Sequence, residues 1–147
     1  MLSFELITKD EEVAFRRMLI SYWNQIIPSS FLLTDPIQAE AEYQGRYIWD
    51  GGSNNPYWIF LGDQRVGFFM LRIYDDGCQA YIHDFFLIEE ARRQGQGTEL
   101  YHLLRSHLKE QGIFQVYLSV QADNPIALNF WKKQGFEIVY HRLSQPI

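Results

Sequence analysis

The stretch at residues 80–104, AYIHDFFLIEEARRQGQGTELYHLL, decides the fold of this 147-residue chain. Its first eight residues are almost all apolar or aromatic and contain no Gly or Pro, which predicts a central strand. Polar residues from Glu89 to Gln94 end that strand. From Thr98 onward, leucines recur at helical spacing, which predicts an amphipathic helix. Gly95 and Gly97 lie in the turn between the two elements.

This turn has the chemistry of an anion site. The first turn of a helix leaves backbone N–H groups without partners, and the helix dipole adds partial positive charge. Glycines at 95 and 97 remove side chains that would keep a phosphate away from those groups. Arg92 and Arg93 add positive charge beside them. The alternative is an ordinary strand–helix corner in which the glycines serve only the backbone.

Two motifs carry a resemblance to a known family. Arg92-x-x-Gly95-x-Gly97 resembles the acetyl-CoA signature Q/R-x-x-G-x-G/A of the GCN5-related N-acetyltransferase (GNAT) family. Residues 124–136, NPIALNFWKKQGF, are similar to the second cofactor segment of that family, N-x-x-A-x-x-F/L-Y-x-x-x-G-F. The resemblance covers residues 66–140. Within the family, residues 81–87 (YIHDFFL) look most like the diamine (spermidine/spermine-type) acetyltransferases.

The resemblance implies a GNAT-like α/β fold, with a mixed and mostly antiparallel sheet of about six strands flanked by four helices, and with a parallel strand pair that splays apart. The hydrophobic pattern predicts strands at residues 4–7, 57–61, 65–73, 80–87, 116–120 and 137–140, and helices at residues 11–26, 37–49, from 98 onward and 126–133. A chain of this length is one domain's worth, so residues 1–147 are predicted to be a single acyl-CoA N-acyltransferase domain.

Composition and charge disfavour several classes of protein. The net charge of −5 argues against a nucleic-acid surface, which needs a basic stripe. No apolar run approaches the roughly 20 residues of a membrane span, and no secretory signal is visible. A single cysteine, Cys78, cannot form an internal disulfide, so we expect a reducing, cytoplasmic location. The histidines and Cys78 lack the spacing of a metal site.

The resemblance implies where acetyl-CoA binds. Backbone groups near Phe85 and Leu87 would pair with the pantetheine arm, the pyrophosphate would rest on the loop at residues 92–98, and Asn124 would hydrogen-bond the arm. The cofactor-binding residues expected on this basis are Phe85, Phe86, Leu87, Arg92, Arg93, Gln94, Gly95, Gln96, Gly97, Thr98 and Asn124.

The catalytic residues depart from the pattern of the family. Transfer to an alkyl ammonium, with a pKa near about 10.4, needs a base or a water relay. The diamine-acetylating relatives have a carboxylate where this chain has His83, whose neutral imidazole could accept a proton; the alternative is a strand histidine without a chemical role. Asp84 is expected on the opposite face, as a contact for the acceptor or as an ion pair with Arg72. Trp131 stands where the family has its general-acid tyrosine, and an indole N–H is not a practical proton source.

The resemblance implies an N-acetyltransferase that transfers an acetyl group by direct attack from a primary amine of a small molecule, with a polyamine or diamine as the suggested acceptor. Tyr22 and Tyr43 are candidates to line the acceptor pocket, or each packs in a small aromatic core. The alternative function, favoured by Trp131, is a non-catalytic acyl-CoA-binding sensor or interaction module. Relatives are often dimers, so a homodimer is considered beside a monomer.

Overall fold

The computed structural model describes residues 1–26, 54–92 and 94–147, and within them five strands form one mixed sheet. The strands lie side by side in chain order: β1 Leu2–Leu6, β2 Asn54–Leu61, β3 Gln64–Ile73, β4 Gln79–Leu87 and β5 Gln115–Leu118. The described helices are α1 Glu12–Ile26, α2 Gln96–Glu110 and α3 Pro125–Lys133, with short 3-10 turns at Lys9–Glu11 and Glu89–Ala91. The predicted helix at residues 37–49 lies outside the described residues.

Strands β1 to β4 form an antiparallel meander, as the short turns between them predict. The turn from β3 to β4 is held by Asp76, whose carboxylate accepts hydrogen bonds from the backbone N–H of Cys78 at 2.8 Å and from the side chain of Gln79 at 2.7 Å. Helix α2 then carries the chain across the sheet, so that β5 lies parallel to β4. The mixed α/β fold expected from the sequence is confirmed.

The sheet separates two hydrophobic clusters. On one face, α1 contributes Phe15, Leu19 and Trp23, which pack with strand residues such as Trp58 and Phe68. The apolar residues of α1 recur at helical spacing and therefore lie on the side that faces the sheet. On the other face, α2 and α3 cover residues such as Phe69, Ile82 and Leu87 with a second cluster: Leu100, Tyr101, Leu104, Leu108 and Trp131. We call these the α1 face and the α2–α3 face.

The parallel pair β4–β5 is short and then separates. Four residue pairs join the two strands, from Gln79 opposite Gln115 to Ile82 opposite Leu118. Strand β4 continues to Leu87, but no strand of the described residues pairs with this side of β4 beyond Ile82. The predicted splayed pair is therefore present, with its vertex at Ile82 and Leu118.

A β-bulge lies at this vertex and corrects one expectation. Met70 is opposite Asp84 while Leu71 is opposite Ile82, so His83 is an extra residue in β4. Ile82 and Phe85, three residues apart, consequently pack in the same cluster, and Phe86 packs in the other. His83 and Asp84 therefore both lie on the α1 face, because each is two residues from another residue of that face, Tyr81 or Phe86. The expectation that the two side chains point to opposite faces is wrong.

The predicted last strand at residues 137–140 is also wrong. Residues 136–147 carry no strand, and Ile138, Val139 and Tyr140 are 54%, 70% and 69% exposed. A β-strand needs a partner edge for its N–H and C=O groups. Within the described part of the chain, no backbone hydrogen bond joins residues 137–147 to another segment. An apolar pattern alone therefore did not suffice to form this strand.

None of the helices in the described residues is long and apolar enough to cross a membrane.

Candidate active site

The open edge of β4 is the first component of the site. Ile88 donates its backbone N–H to Val66 O at 2.8 Å, so the backbone of residue 88 points toward β3. Hydrogen-bonding directions alternate along an antiparallel strand, so Phe86 also points toward β3 while Phe85 and Leu87 point away from it. The N–H and C=O groups of Phe85 and the N–H group of Leu87 thus face the gap left by β5, where a ligand with amides could pair with them. The Leu87 carbonyl already accepts a hydrogen bond from Arg92.

The second component is the N-terminus of α2, next to the end of that edge. Gly95 directly precedes the helix and has a φ of 74°, a left-handed backbone conformation that residues other than glycine rarely adopt. A Cβ atom there would meet nothing within 4 Å, so conformation and not crowding requires the glycine. The N–H groups of Gln96, Gly97 and Thr98 lie in the first helical turn, where the helix itself supplies no acceptor. Gln94 is exposed beside them, and Arg93 lies outside the described residues.

Gly97 has a packing role in addition to its predicted one. A Cβ at this position would lie 3.3 Å from two atoms of the Phe130 ring, so α2 and α3 approach each other closely here. A hydrogen bond adds to this contact between the two helices, because Gln134, just after α3, donates from Nε2 to Thr98 Oγ1 at 3.0 Å. The loop at residues 94–98 is therefore anchored to α3, which places both family motifs beside one gap.

Gln96 and Asn124 are the side chains that best test whether a ligand fits this gap. The Oε1 atom of Gln96 is buried and has no hydrogen-bond partner within the described residues, so a polar group is still needed there. Asn124 caps α3, accepting at Oδ1 from the N–H of Ala127 at 3.1 Å, and its amide nitrogen can still donate to a ligand. An open strand edge, a helix N-terminus and these two amides together fit a linear ligand with amides and a diphosphate.

Arg92 does not extend over the helix N-terminus. Its Nε donates to Leu87 O at 2.6 Å, and its guanidinium carbon lies 5.3 Å from the centre of the Phe86 ring. The side chain is thus folded back onto β4, where its charge lies beside the end of the open edge. A cation–π contact and a charge-assisted hydrogen bond hold it in that position.

Trp131 is a core residue in this arrangement. It is 7% exposed and lies on the α2–α3 face, with its ring centre 5.0 Å from that of Phe85, 5.4 Å from Tyr101 and 5.3 Å from Phe136. Edge-on contacts of this kind are favourable for aromatic rings. The indole therefore forms a wall behind the open edge of β4.

On the α1 face, the vertex of the gap carries a group of polar side chains. His83 is exposed at the bulge, and its ring centre lies 4.6 Å from that of Tyr81. The Tyr81 hydroxyl is hydrogen-bonded to Ser119, the residue after the end of β5. Tyr81 and Ser119 were not among the expected site residues. The parallel register of β4 and β5, had it been predicted, would have brought them together.

The acceptor candidates lie along the same face. Tyr22 of α1 has its ring centre 5.5 Å from that of Phe68 and 5.3 Å from that of Phe86, so it packs against the sheet. Asp84, only 3% exposed, lies on this face as well. No ion pair joins it to Arg72 in the described structure; the Arg72 guanidinium lies 5.3 Å from the centre of the Tyr74 ring instead. Tyr43 falls outside the described residues.

The surface cavities of the described structure include two that differ in their position relative to the site. One, of about 250 Å³, adjoins the vertex and is lined by residues that include Tyr81, Tyr117 and Ser119. The other, of about 360 Å³, lies between the start of β1 and α2, away from the site. Within the described residues, no group of three or more His, Cys, Asp or Glu side chains could hold a metal ion.

Comparison with known proteins agrees with this geometry. The sequence profile of the Acetyltransferase (GNAT) family matches residues 15–136. The solved structures that share the fold at low sequence identity include the following three. YycN from Bacillus subtilis has a TM-score of 0.76 at 17% identity, covering 100% of this chain and 99% of YycN. The aminoglycoside acetyltransferase meta-AAC0020 from an uncultured soil metagenomic sample, in complex with sisomicin, has a TM-score of 0.71 at 18% identity over 99% and 97%. The aminoglycoside N-acetyltransferase AAC(6')-Iy, in complex with CoA, has a TM-score of 0.68 at 15% identity over 100% and 95%. The comparison with curated proteins found no match.

Proposed function

Because the chain belongs to the GNAT acetyltransferase family and is an acetyl-CoA-dependent N-acetyltransferase, we propose that it acetylates a primary amine of a small molecule. The observation that carries this proposal is the open edge of β4 beyond the Ile82–Leu118 pair, which ends beside the N-terminus of α2. This arrangement supports the cofactor-binding role of Phe85 and Leu87, of residues 94–98 and of Asn124. The same role for Phe86, Arg92 and Arg93 is proposed from the sequence motif alone.

Each part of the site has a distinct task in this proposal. Backbone groups of Phe85 and Leu87 bind the pantetheine arm as a neighbouring strand would, and the N–H groups after Gly95 hold the diphosphate. Bound acetyl-CoA supplies the acetyl group and the thiolate that leaves. The arm is thereby directed toward the vertex, where the α1 face meets the gap.

His83 takes the proton of the acceptor ammonium, directly or through a water molecule. Its exposed position at the vertex supports this role, since an incoming amine can reach the imidazole there. Asp84 and Tyr22, on the same face, contribute to the acceptor pocket, as does Tyr43.

A polyamine or related diamine is the proposed acceptor. The acidic net charge of −5 favours the approach of a polycation, and Asp84 lies on the face from which the acceptor would enter. We also propose that the protein acts in the cytoplasm and forms a homodimer. A non-catalytic acyl-CoA sensor is the second candidate function, and the observation that favours it is the buried Trp131 at the position of the general acid.

Titration calorimetry with acetyl-CoA, on the unmodified protein and on Gly95→Ala, tests cofactor binding. Gly95→Ala should weaken binding, because alanine disfavours the left-handed conformation that places the helix N-terminus. Gly112→Ala is the matched control: Gly112 also has a positive φ, 83°, and open space around it, but it lies at the other end of α2. Absence of both heat and a thermal shift with the unmodified protein would refute the proposal.

Release of free CoA in the presence of different amines then separates the two candidate functions. The panel contains polyamines, aminoglycosides, amino acids and peptide N-termini, and we expect the fastest release with polyamines. Tight acetyl-CoA binding without release of CoA on any amine would establish the sensor in place of the enzyme.

A further inference from the structure

We propose that four tyrosines beside the vertex form a binding site for a second positive charge on the acceptor amine. The site is the cavity of about 250 Å³ that is lined by Tyr74, Tyr81, Tyr117 and Tyr140, together with Ser119 and neighbouring apolar side chains. This inference rests on the proposed function and names the part of the acceptor that the cavity recognises. We call it the tyrosine pocket.

Four separate segments bring these rings together. Tyr81 of β4 and Tyr117 of β5 are register neighbours in the parallel pair, so their side chains lie on the same face. Tyr74 follows β3, and its ring is 6.3 Å from that of Tyr117 in an edge-on arrangement of 83°. Tyr140 comes from the segment after α3. Since the rings meet at the end of the sheet, the pocket opens directly beside the vertex.

The ring of Tyr81 is held in place at this position. Its hydroxyl is hydrogen-bonded to Ser119, and its ring contacts that of His83 at 4.6 Å between centres. Because the Tyr81 ring is already held by these two contacts, little further conformational entropy is lost when it binds a ligand. Tyr81 thereby forms the shared wall between the tyrosine pocket and the proposed base.

The faces of tyrosine rings attract cations because the ring quadrupole is negative there. Tyr74 already shows this preference, since the guanidinium of Arg72 lies 5.3 Å from its ring centre. Asp75 and Asp76 follow Tyr74 in the turn and add negative charge nearby. A pocket lined by several such rings is suited to an ammonium group, because a cation is attracted to the face of any ring that it can reach.

The position of the pocket selects a particular class of acceptor. His83 contacts the outer wall of the pocket, so a molecule with one ammonium among the tyrosines can extend its other amine to the imidazole. This requires two amines joined by a short flexible chain. A cavity of about 250 Å³ can hold one end of such a chain, whereas an aminoglycoside consists of several bulky rings joined by glycosidic bonds. The acceptor class is therefore a short aliphatic diamine or polyamine.

The first test compares KM for three acceptors that differ only in their far end: 1,4-diaminobutane, 4-amino-1-butanol and 1-aminobutane. We expect KM for the diamine to be about tenfold lower than for the other two, which corresponds to a partly desolvated cation–π site. An aminoglycoside, also polycationic, should show no such advantage. Equal KM values for the three short amines, or a lower KM for the aminoglycoside, would overturn the pocket and leave acetyl transfer itself intact.

The second test is substitution of Tyr117, one of the residues that line the tyrosine pocket. Tyr117→Leu keeps the apolar bulk but removes the ring, and should raise KM for the diamine about fivefold relative to 1-aminobutane. Tyr117→Phe keeps the ring and should preserve the ratio of the two KM values. Phe114→Leu, an aromatic residue 73% exposed just before β5, is the control outside the pocket and should change nothing. A ratio that is unaffected by Tyr117→Leu would refute the proposal.

A binding measurement makes the result independent of turnover. Titration calorimetry of 1,4-diaminobutane without acetyl-CoA should show binding that Tyr117→Leu weakens about fivefold and Tyr117→Phe retains. If no amine is acetylated but this pattern is found, the proposed function fails and the pocket stands. If the unmodified protein binds no diamine, the pocket fails. Tyr74→Leu is the second variant should Tyr117→Leu not fold, as judged by circular dichroism.

Discussion

At the scale of single residues, Gly67 of β3 shows how strictly the sheet is packed beside the open edge. A Cβ atom on Gly67 would lie 1.9 Å from the carbonyl oxygen of Phe86 and 3.1 Å from the Cα of Leu87. Both neighbours are backbone atoms of β4, so no side-chain rotation can relieve the overlap. Any side chain here would push β3 and β4 apart where β4 forms the proposed cofactor-binding edge.

We therefore expect Gly67→Ala to lower the free energy of unfolding by more than about 3 kcal/mol, in the range of severe core defects. The measurement is urea denaturation followed by circular dichroism. Gly62→Ala is the matched control, because Gly62 has φ 64° but open space, and it should cost only about 1 kcal/mol from backbone strain. Similar losses for the two variants would contradict the clash.

Trp131 carries the second prediction. Trp131→Tyr should raise the rate of acetyl transfer about tenfold, because a phenol can give a proton to a thiolate and an indole cannot. Trp131→Phe is the control: it removes a similar volume of the aromatic cluster without adding a hydroxyl, and should not raise kcat. Steady-state kinetics on both variants decide this. A Tyr variant no faster than the Phe variant would mean that the proton comes from elsewhere.

The sequence motifs identified the candidate site residues, but they did not predict where the side chains of these residues point. Regular alternation along β4 placed His83 and Asp84 on opposite faces, and the bulge that unites them depends on the register in which β4 pairs with β3. The same limit applies to Arg92, whose contact with Leu87 O requires the turn of the chain after β4. Local pattern identifies such residues, and tertiary pairing decides where they point.

At the scale of elements, the start of α1 is tied to the sheet by Glu11. The Glu11 carboxylate accepts from Thr8 N at 3.1 Å and from the Trp58 indole at 3.0 Å, and it also pairs with Arg65. The Arg65 guanidinium in turn lies 4.5 Å from the centre of a Trp58 ring. Burial raises the pKa of Glu11, but the hydrogen bonds from Thr8 and Trp58 and the charge of Arg65 outweigh it, so the pKa is lowered.

This lowered pKa predicts a pH-dependent stability. A carboxyl group whose pKa is lower in the folded state stabilises it above the unfolded pKa of about 4.3, and that contribution is lost as the pH falls through the folded value. Glu11→Gln should therefore destabilise the protein at pH 7, and the difference from the unmodified protein should shrink below about pH 4.3. Urea denaturation across this range measures it. A difference independent of pH, or one that Glu5→Gln on β1 reproduces, would contradict the role of the network.

The elements themselves were largely predictable because most of them have strong periodicity. Strands β3 and β4 and helices α1 and α2 carry long apolar patterns, and the structure confirms them. The segment at residues 137–140 has a similar pattern but forms no strand, since a strand also depends on an edge to pair with. Pattern predicts the tendency of a segment, and pairing decides whether it becomes a strand.

At the scale of the whole molecule, the exposed C-terminal segment supports the proposed homodimer. Leu143 is 90% exposed and Ile138 54%, although both are residues that usually become buried. We expect light scattering after gel filtration to give twice the mass of the chain. Leu143→Lys should shift the protein toward the mass of one chain, with Leu103→Lys, on the exposed side of α2, as the control. A monomer mass for the unmodified protein at micromolar concentration would contradict the dimer.

The extra residue at position 83 has a consequence for how the sequence tolerates change in length. In a regular strand, deletion of one residue turns every later side chain of the strand to the opposite face of the sheet. Here Phe85 and Phe86 already face as they would if position 83 did not exist. Deletion of His83 should therefore leave the packing of the core intact and abolish only the proposed activity. Deletion of Phe85 should disrupt both the core and the activity. His83 is therefore the residue of β4 that the fold can lose most easily, although the proposed reaction needs it.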